Sequence, residues 1–142
     1  MHNKWPGLME AYRRHMNHHQ FFSHELMAGD DKRDYAITLF PVLLVCGLIG
    51  FFAVPMAVLL KIYVSQNVGL LFLLTASVYL LNYEWLHLIY HLPEKSWILR
   101  NHLIANLRQL HLDHHNPQIM MRYNFNISYP LMDWLLGTRF KK

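Results

Sequence analysis

The sequence predicts an all-α fold: an integral membrane helical hairpin of two spans, flanked by histidine-rich cytoplasmic helices, in one domain, 1–142. Three observations predict it. First, 54% of the 142 residues are hydrophobic and 15% are charged, whereas soluble domains carry about a quarter charged residues. Second, two long apolar runs lie between polar flanks. Third, both flanks carry the same histidine pattern. RRHMNHHQ (Arg13–Gln20) and QLHLDHHNP (Gln109–Pro117) each contain HxxHH. At this chain's histidine frequency one copy is expected about 0.06 times, so two copies need a physical reason.

Residues 1–35 are polar, rich in histidine and helical in part. The run AITLFPVLLVCGLIGFFAVPMAVLL (36–60) holds no charge across 25 positions. As one helix it reaches about 37 Å, against a hydrocarbon core of about 30 Å. Pro41 and Pro55 lie inside it, which spanning helices tolerate. A buried helix of a soluble domain is seldom this long and this uniformly apolar. Lys61–Asn67 breaks the pattern and reads as a short turn. A second span covers 68–91, apolar in its first half and carrying Glu84, His87 and His91 in its last turns. Residues 92–142 are polar and basic, with amphipathic stretches and a loop-rich tail.

Charge supplies the orientation. Of 13 Lys and Arg, five precede residue 36, seven follow residue 92, and only Lys61 lies between the spans. The positive-inside rule then places both termini in the cytoplasm and the turn outside. Two spans also return the chain to its starting side, so both HxxHH clusters and the His87/His91 pair face one compartment. The net charge of +4 is modest and no nucleic-acid motif accompanies it. The basic residues therefore read as a membrane-facing feature. Cys46 is the only cysteine, so no internal disulfide forms. No cleavable signal peptide is evident at the start. Trp85, Trp97, Trp134 and several Tyr fit an interfacial aromatic belt.

Residues at i, i+3 and i+4 share a helix face. His15, His18 and His19 therefore project together, as do His111, His114 and His115, while His87 and His91 lie one turn apart. Neutral imidazole is a common ligand for transition metals. Eight imidazoles exceed one tetrahedral site, and two metals sharing them is the economical reading. A nitrogen-rich set without thiolate suits iron, zinc or copper rather than magnesium or calcium. Glu84 lies on the stripe of His87 and His91, placed to ligate a metal or to hold a ligand imidazole by an outer hydrogen bond. Asp113 points off the face of its histidines and orients a neighbouring ligand. His2, His24 and His102 have no patterned partner and read as surface or headgroup-level residues. There is no Ser-His-Asp arrangement, phosphate loop or flavin fingerprint, so any electrons come from a partner protein. A bis-histidine haem protein fits less well, because haem spans place single histidines inside the bilayer.

RRHMNHH, NYEWLHLIYHLPE, LRQLHLDHH and NFNISYPLMDWLLGT, in this order and spacing, resemble the fatty acid hydroxylase/sterol desaturase superfamily of membrane di-metal oxygenases. The likeness runs from about Ala11 to Thr138. It implies that the eight patterned histidines ligate two iron ions, with zinc possible in isolated protein. It implies an O2-dependent hydroxylase or desaturase acting on a fatty acyl, sphingolipid or sterol substrate. Electrons would come from a cytochrome b5- or ferredoxin-type reductase system. The membrane would be a bacterial inner membrane or the endoplasmic reticulum, with a homo-oligomer possible. An earlier pair of spans with its own histidine pair is missing relative to the family, so the chain reads as the C-terminal part of that fold. The alternative is a truncated or non-catalytic metal-binding paralogue. The family's tail also commonly has Gly where this chain has Asn126, a residue that tolerates left-handed backbone angles.

Overall fold

The computed structural model describes residues 6–23, 25–29 and 31–140; His2 and His24 lie outside them. The fold is all-α, with no strand among the described residues. These residues divide into two compact units. One runs up to Leu39 and resumes at Trp85, and the other is Phe40–Glu84.

The Phe40–Glu84 unit is a helical hairpin. Helices α1 (Pro6–Phe21) and α2 (Lys32–Thr38) precede it. The expected first span is interrupted rather than a single α-helix. Pro41 adopts an extended conformation (φ −55°, ψ 139°) ahead of α3 (Val42–Leu48). Proline disfavours helical angles in the residue before it and has no N–H to donate, so the helix restarts there. Phe40 N–H donates to Glu84 Oε2 at 2.8 Å, and the Phe40 and Tyr83 rings stack 6.0 Å apart. Ahead of Pro55 the chain widens into a π-turn, Ile49–Ala53, in which Val54 N–H reaches Ile49 O. Proline clashes with the carbonyl four residues back, and a wider turn relieves that contact. Helix α4 (Val54–Tyr63) follows.

The turn is tighter than expected. Only Val64 and Ser65 separate α4 from α5 (Gln66–Tyr90). Ser65 Oγ accepts Val68 N–H at 3.2 Å, a serine N-cap. Close packing of α4 on α5 depends on a missing side chain. A Cβ on Gly69 would lie 2.5 Å from the Ala57 carbonyl oxygen.

Two stretches are long and apolar enough to cross a membrane, Arg33–Tyr63 with mean hydropathy 2.7 and Gln66–Tyr90 with 1.3. Their apolar side chains face outward: Leu43 is 87% exposed, Phe51 82% and Leu71 63%. The interior helix of a soluble domain buries such groups.

The second unit holds the last turn of α5, a 3₁₀ turn at Trp97–Arg100, α6 (His102–His114) and α7 (Leu131–Leu135), together with α1 and α2. Asn101 caps α6 by accepting Leu103 N–H at 2.9 Å. Leu86, Tyr90 and Leu107 form an apolar core, with Leu110 and Ile127 packed against it. Arg108 on α6 donates to the Tyr90 carbonyl at the end of α5 (2.9 Å). That satisfies an open helix C-terminus with a cation. His102, read as a surface residue, is exposed, as are Trp85, Trp97 and Trp134.

Candidate metal centre

Three helices deliver the imidazoles, and all eight belong to one unit. α1 carries His15, His18 and His19; the end of α5 carries His87, with His91 just beyond; α6 and its C-cap carry His111, His114 and His115. His18, His87, His91 and His111 are buried, and each presents a ring nitrogen within 4.8 Å of the others'. His15, His19 and His114 form a second such group, also within 4.8 Å. His115 lies beside both. Its Nε2 is 3.2 Å from His18 Nε2 and 3.1 Å from His111 Nε2, and its ring stacks on His19 at 4.2 Å.

The spacing of nitrogens matches a shared ion. In the buried group the Nε2–Nε2 distances are 3.1 Å for His18–His87 and 3.1 Å for His91–His111. Two imidazoles on one ion, each about 2.1 Å from it, hold their nitrogens about 3.0 to 3.4 Å apart for bond angles from 90° to tetrahedral. His15 and His19 show the same 3.1 Å separation in the second group.

Backbone carbonyls decide which nitrogen faces inward. His91 Nδ1–H donates to Met27 O at 2.8 Å. His115 Nδ1–H donates to Phe22 O, and the Thr38 carbonyl accepts from His87. Each bond leaves the lone pair of Nε2 aimed into the cluster, the arrangement by which outer partners orient metal-ligating histidines. The Met27 loop is itself tied down, because Gly29 N–H donates to the His91 carbonyl at 3.0 Å and Tyr35 O–H to Gly29 O at 2.9 Å.

Burial keeps the imidazoles neutral. It is the main cause of every shift below, with neighbouring histidines adding to most of them. His91 is pushed down to about 4, His114 to about 4 and His19 to about 3. His15, His18, His111 and His115 are also lowered. Neutral rings are the ligating form. The buried Nδ1 atoms of His18, His19 and His111 and both ring nitrogens of His114 have no hydrogen-bond partner. Closely facing lone pairs in a dry interior are costly unless something electrophilic lies between them. The donor set therefore fits a transition-metal ion, and the buried four-histidine group can bind one.

The two acidic residues singled out in the sequence are not members of either histidine group. Glu84 uses Oε2 to accept Phe40 N–H, while its Oε1 is buried without a partner. Asp113, 6% exposed, accepts from Gln109 Nε2 at 3.1 Å one turn earlier on α6. Sequence reasoning missed the carbonyl acceptors of Phe22, Met27 and Thr38, which no side-chain pattern marks. It also missed Arg108 and the buried Asp133. A carboxylate inside the apolar run PLMDWLL was the available signal for Asp133.

Compared with models of protein families, with curated proteins and with solved structures, the chain finds no match in any of the three.

Proposed function

We propose that this chain is a membrane-bound di-iron oxygenase of the fatty acid hydroxylase/sterol desaturase kind, hydroxylating or desaturating a lipid with O2. One observation carries the reading. Seven imidazoles from three sequence-distant segments converge as two adjacent groups of mutually close nitrogens, with His115 beside both, in a chain with two long, outward-facing apolar helices. The excess of Lys and Arg in both flanks supports the placement of both groups on the cytoplasmic side.

His18, His87, His91 and His111 would hold one iron, and His15, His19 and His114 the other, with His115 beside both. Bound iron supplies the redox chemistry for activating O2, which zinc lacks. The chain's own residues do the rest. The Phe22, Met27 and Thr38 carbonyls fix the ring orientations. Burial holds the imidazoles neutral at physiological pH. The outward apolar faces of the two long helices keep the chain among the lipids that would be its substrates. Two electrons enter from a separate reductase, since the chain has no flavin or haem motif.

A second reading is a metal-binding paralogue without catalysis. The enclosure of the four-histidine group favours it, because closed sites with full protein ligation are commonly structural.

One experiment separates the two. The protein, purified in detergent from iron-supplied cells, is analysed for metal and then given a reductase system, O2 and mixed membrane lipids. The oxygenase reading expects about two irons per chain and lipid products gaining one oxygen atom or losing two hydrogens. Zinc alone, with no O2 consumed, would refute it in favour of the second reading.

A further inference from the structure

The tail motif NFNISYPLMDWLLGT (Asn124–Thr138) has no part in the ligand set, yet it holds two of the most deeply buried polar side chains. Asp133 is 1% exposed and Asn124 2%. Asp133 organises the segment around itself. Its Oδ1 accepts Phe125 N–H at 2.9 Å and the Thr138 hydroxyl at 2.7 Å, and its Oδ2 accepts Asn126 N–H at 2.8 Å. Its backbone carbonyl accepts Thr138 N–H at 2.8 Å and Arg139 N–H at 3.1 Å. A buried carboxylate that accepts this many bonds fixes the backbone that supplies them.

What the carboxylate fixes is an unusual turn. Asn124 has φ 54°, the one positive φ at a non-glycine residue among those described. The left-handed residue is thus Asn124 and not Asn126, which instead donates its amide to Tyr129 O at 3.0 Å. Such angles are uncommon outside glycine and persist where the surroundings impose them. Asn124 N–H donates to Thr138 O at 2.9 Å and its Oδ1 accepts Phe140 N–H at 3.0 Å. Its Nδ2 reaches the Leu110 carbonyl at 3.4 Å, the helical acceptor one turn before His114. The Asn124 carbonyl then faces the His114 imidazole, although neither ring nitrogen attains full hydrogen-bond geometry.

We propose that Asp133 is a positioning residue for His114. It clamps the Asn124–Asn126 turn so that the Asn124 carbonyl orients the His114 ring into the group with His15 and His19. His87, His91 and His115 each donate to a backbone carbonyl; at His114 the Asn124 carbonyl lies opposite the ring without completing such a bond. The inference rests on the histidines being metal ligands, and it assigns Asp133 to the three-histidine group alone.

The test reads metal binding rather than turnover. Detergent-purified, metal-stripped protein is titrated with cobalt(II), whose visible absorption reports the ligand environment of each ion. Wild type is expected to take two ions. Asp133→Asn should weaken the second by about 10–100-fold, the usual loss for an outer partner. It should also shift the second ion's absorption and leave the first unchanged. If Asp133→Asn does not purify folded, Thr138→Val removes only the hydroxyl bonded to Oδ1 and should weaken the same ion by a smaller factor. Equal weakening of both ions or an unchanged second ion would overturn the inference with the metal centre intact. So would a wild type that takes a single ion. A wild type that takes none would overturn the metal centre itself.

Discussion

His91→Leu is the sharpest probe of the buried group. His91 is fully buried, with Nε2 3.1 Å from His111 Nε2 and Nδ1–H on the Met27 carbonyl at 2.8 Å. Leucine fills much of the same space and removes both functions. Losing the hydrogen bond strands a buried carbonyl, which costs about 1–3 kcal/mol of stability in the metal-free protein. The effect on metal is larger. Removing an outer partner alone lowers affinity by about 10–100-fold. Removing one of four direct donors should exceed that, at more than about 2.8 kcal/mol by the tenfold-per-1.4 rule. The assay is competition for zinc against a chelator of known affinity, with metal content measured in parallel. His102→Leu, at an exposed position on the same unit, serves as control and should match wild type. If His91→Leu retains wild-type affinity and stoichiometry, the buried group does not bind the ion and the site assignment fails.

Other expectations follow from the same geometry. The metal-free protein should lose stability in acid. A histidine whose folded pKa is depressed favours the folded state fully above its unfolded value of 6.5, and that contribution is lost as pH falls through the folded value. The window therefore opens near 6.5 and runs down through about 4 for His91 and His114 and about 3 for His19. A thermal midpoint that is constant from pH 7 to about 4 would contradict the neutral cluster. Gly69→Ala should destabilise the hairpin by about 1–3 kcal/mol, because its Cβ would meet the Ala57 carbonyl at 2.5 Å. Thermal unfolding in detergent measures this, and an unchanged midpoint would mean that α4 and α5 do not pack there. Single cysteines at Asn17 and Gln109, in a Cys46→Ser background, should react with an impermeant reagent from the same face of sealed vesicles. Labelling from opposite faces would rule out an even number of crossings between the histidine triplets.

Much of this architecture was legible in the chain. Helical spacing put His15, His18 and His19 on one face, and His111, His114 and His115 on another, because i, i+3 and i+4 coincide on any α-helix. The uncharged run 36–60 and the run after it announced two apolar helices, since nothing else satisfies so long an apolar backbone in lipid. Local interruptions were less legible. Both prolines were visible, but whether each would break, bend or be absorbed depended on neighbours. Glu84 takes up the Phe40 N–H freed beside Pro41, while a π-turn forms ahead of Pro55.

The sequence by itself determined the element types, the ligand-bearing faces and the inventory of imidazoles. Those follow from periodicity and composition, which are local properties. Only the tertiary structure decided how the eight imidazoles divide. Four are enclosed, three are grouped beside them, and His115 lies against both. It alone showed that the Phe22, Met27 and Thr38 carbonyls turn ring nitrogens inward, and that Asp133 organises the turn beside His114. The histidine–carbonyl contacts join residues dozens of positions apart, and every residue carries the same backbone carbonyl, so no side-chain pattern can announce which one a histidine will meet.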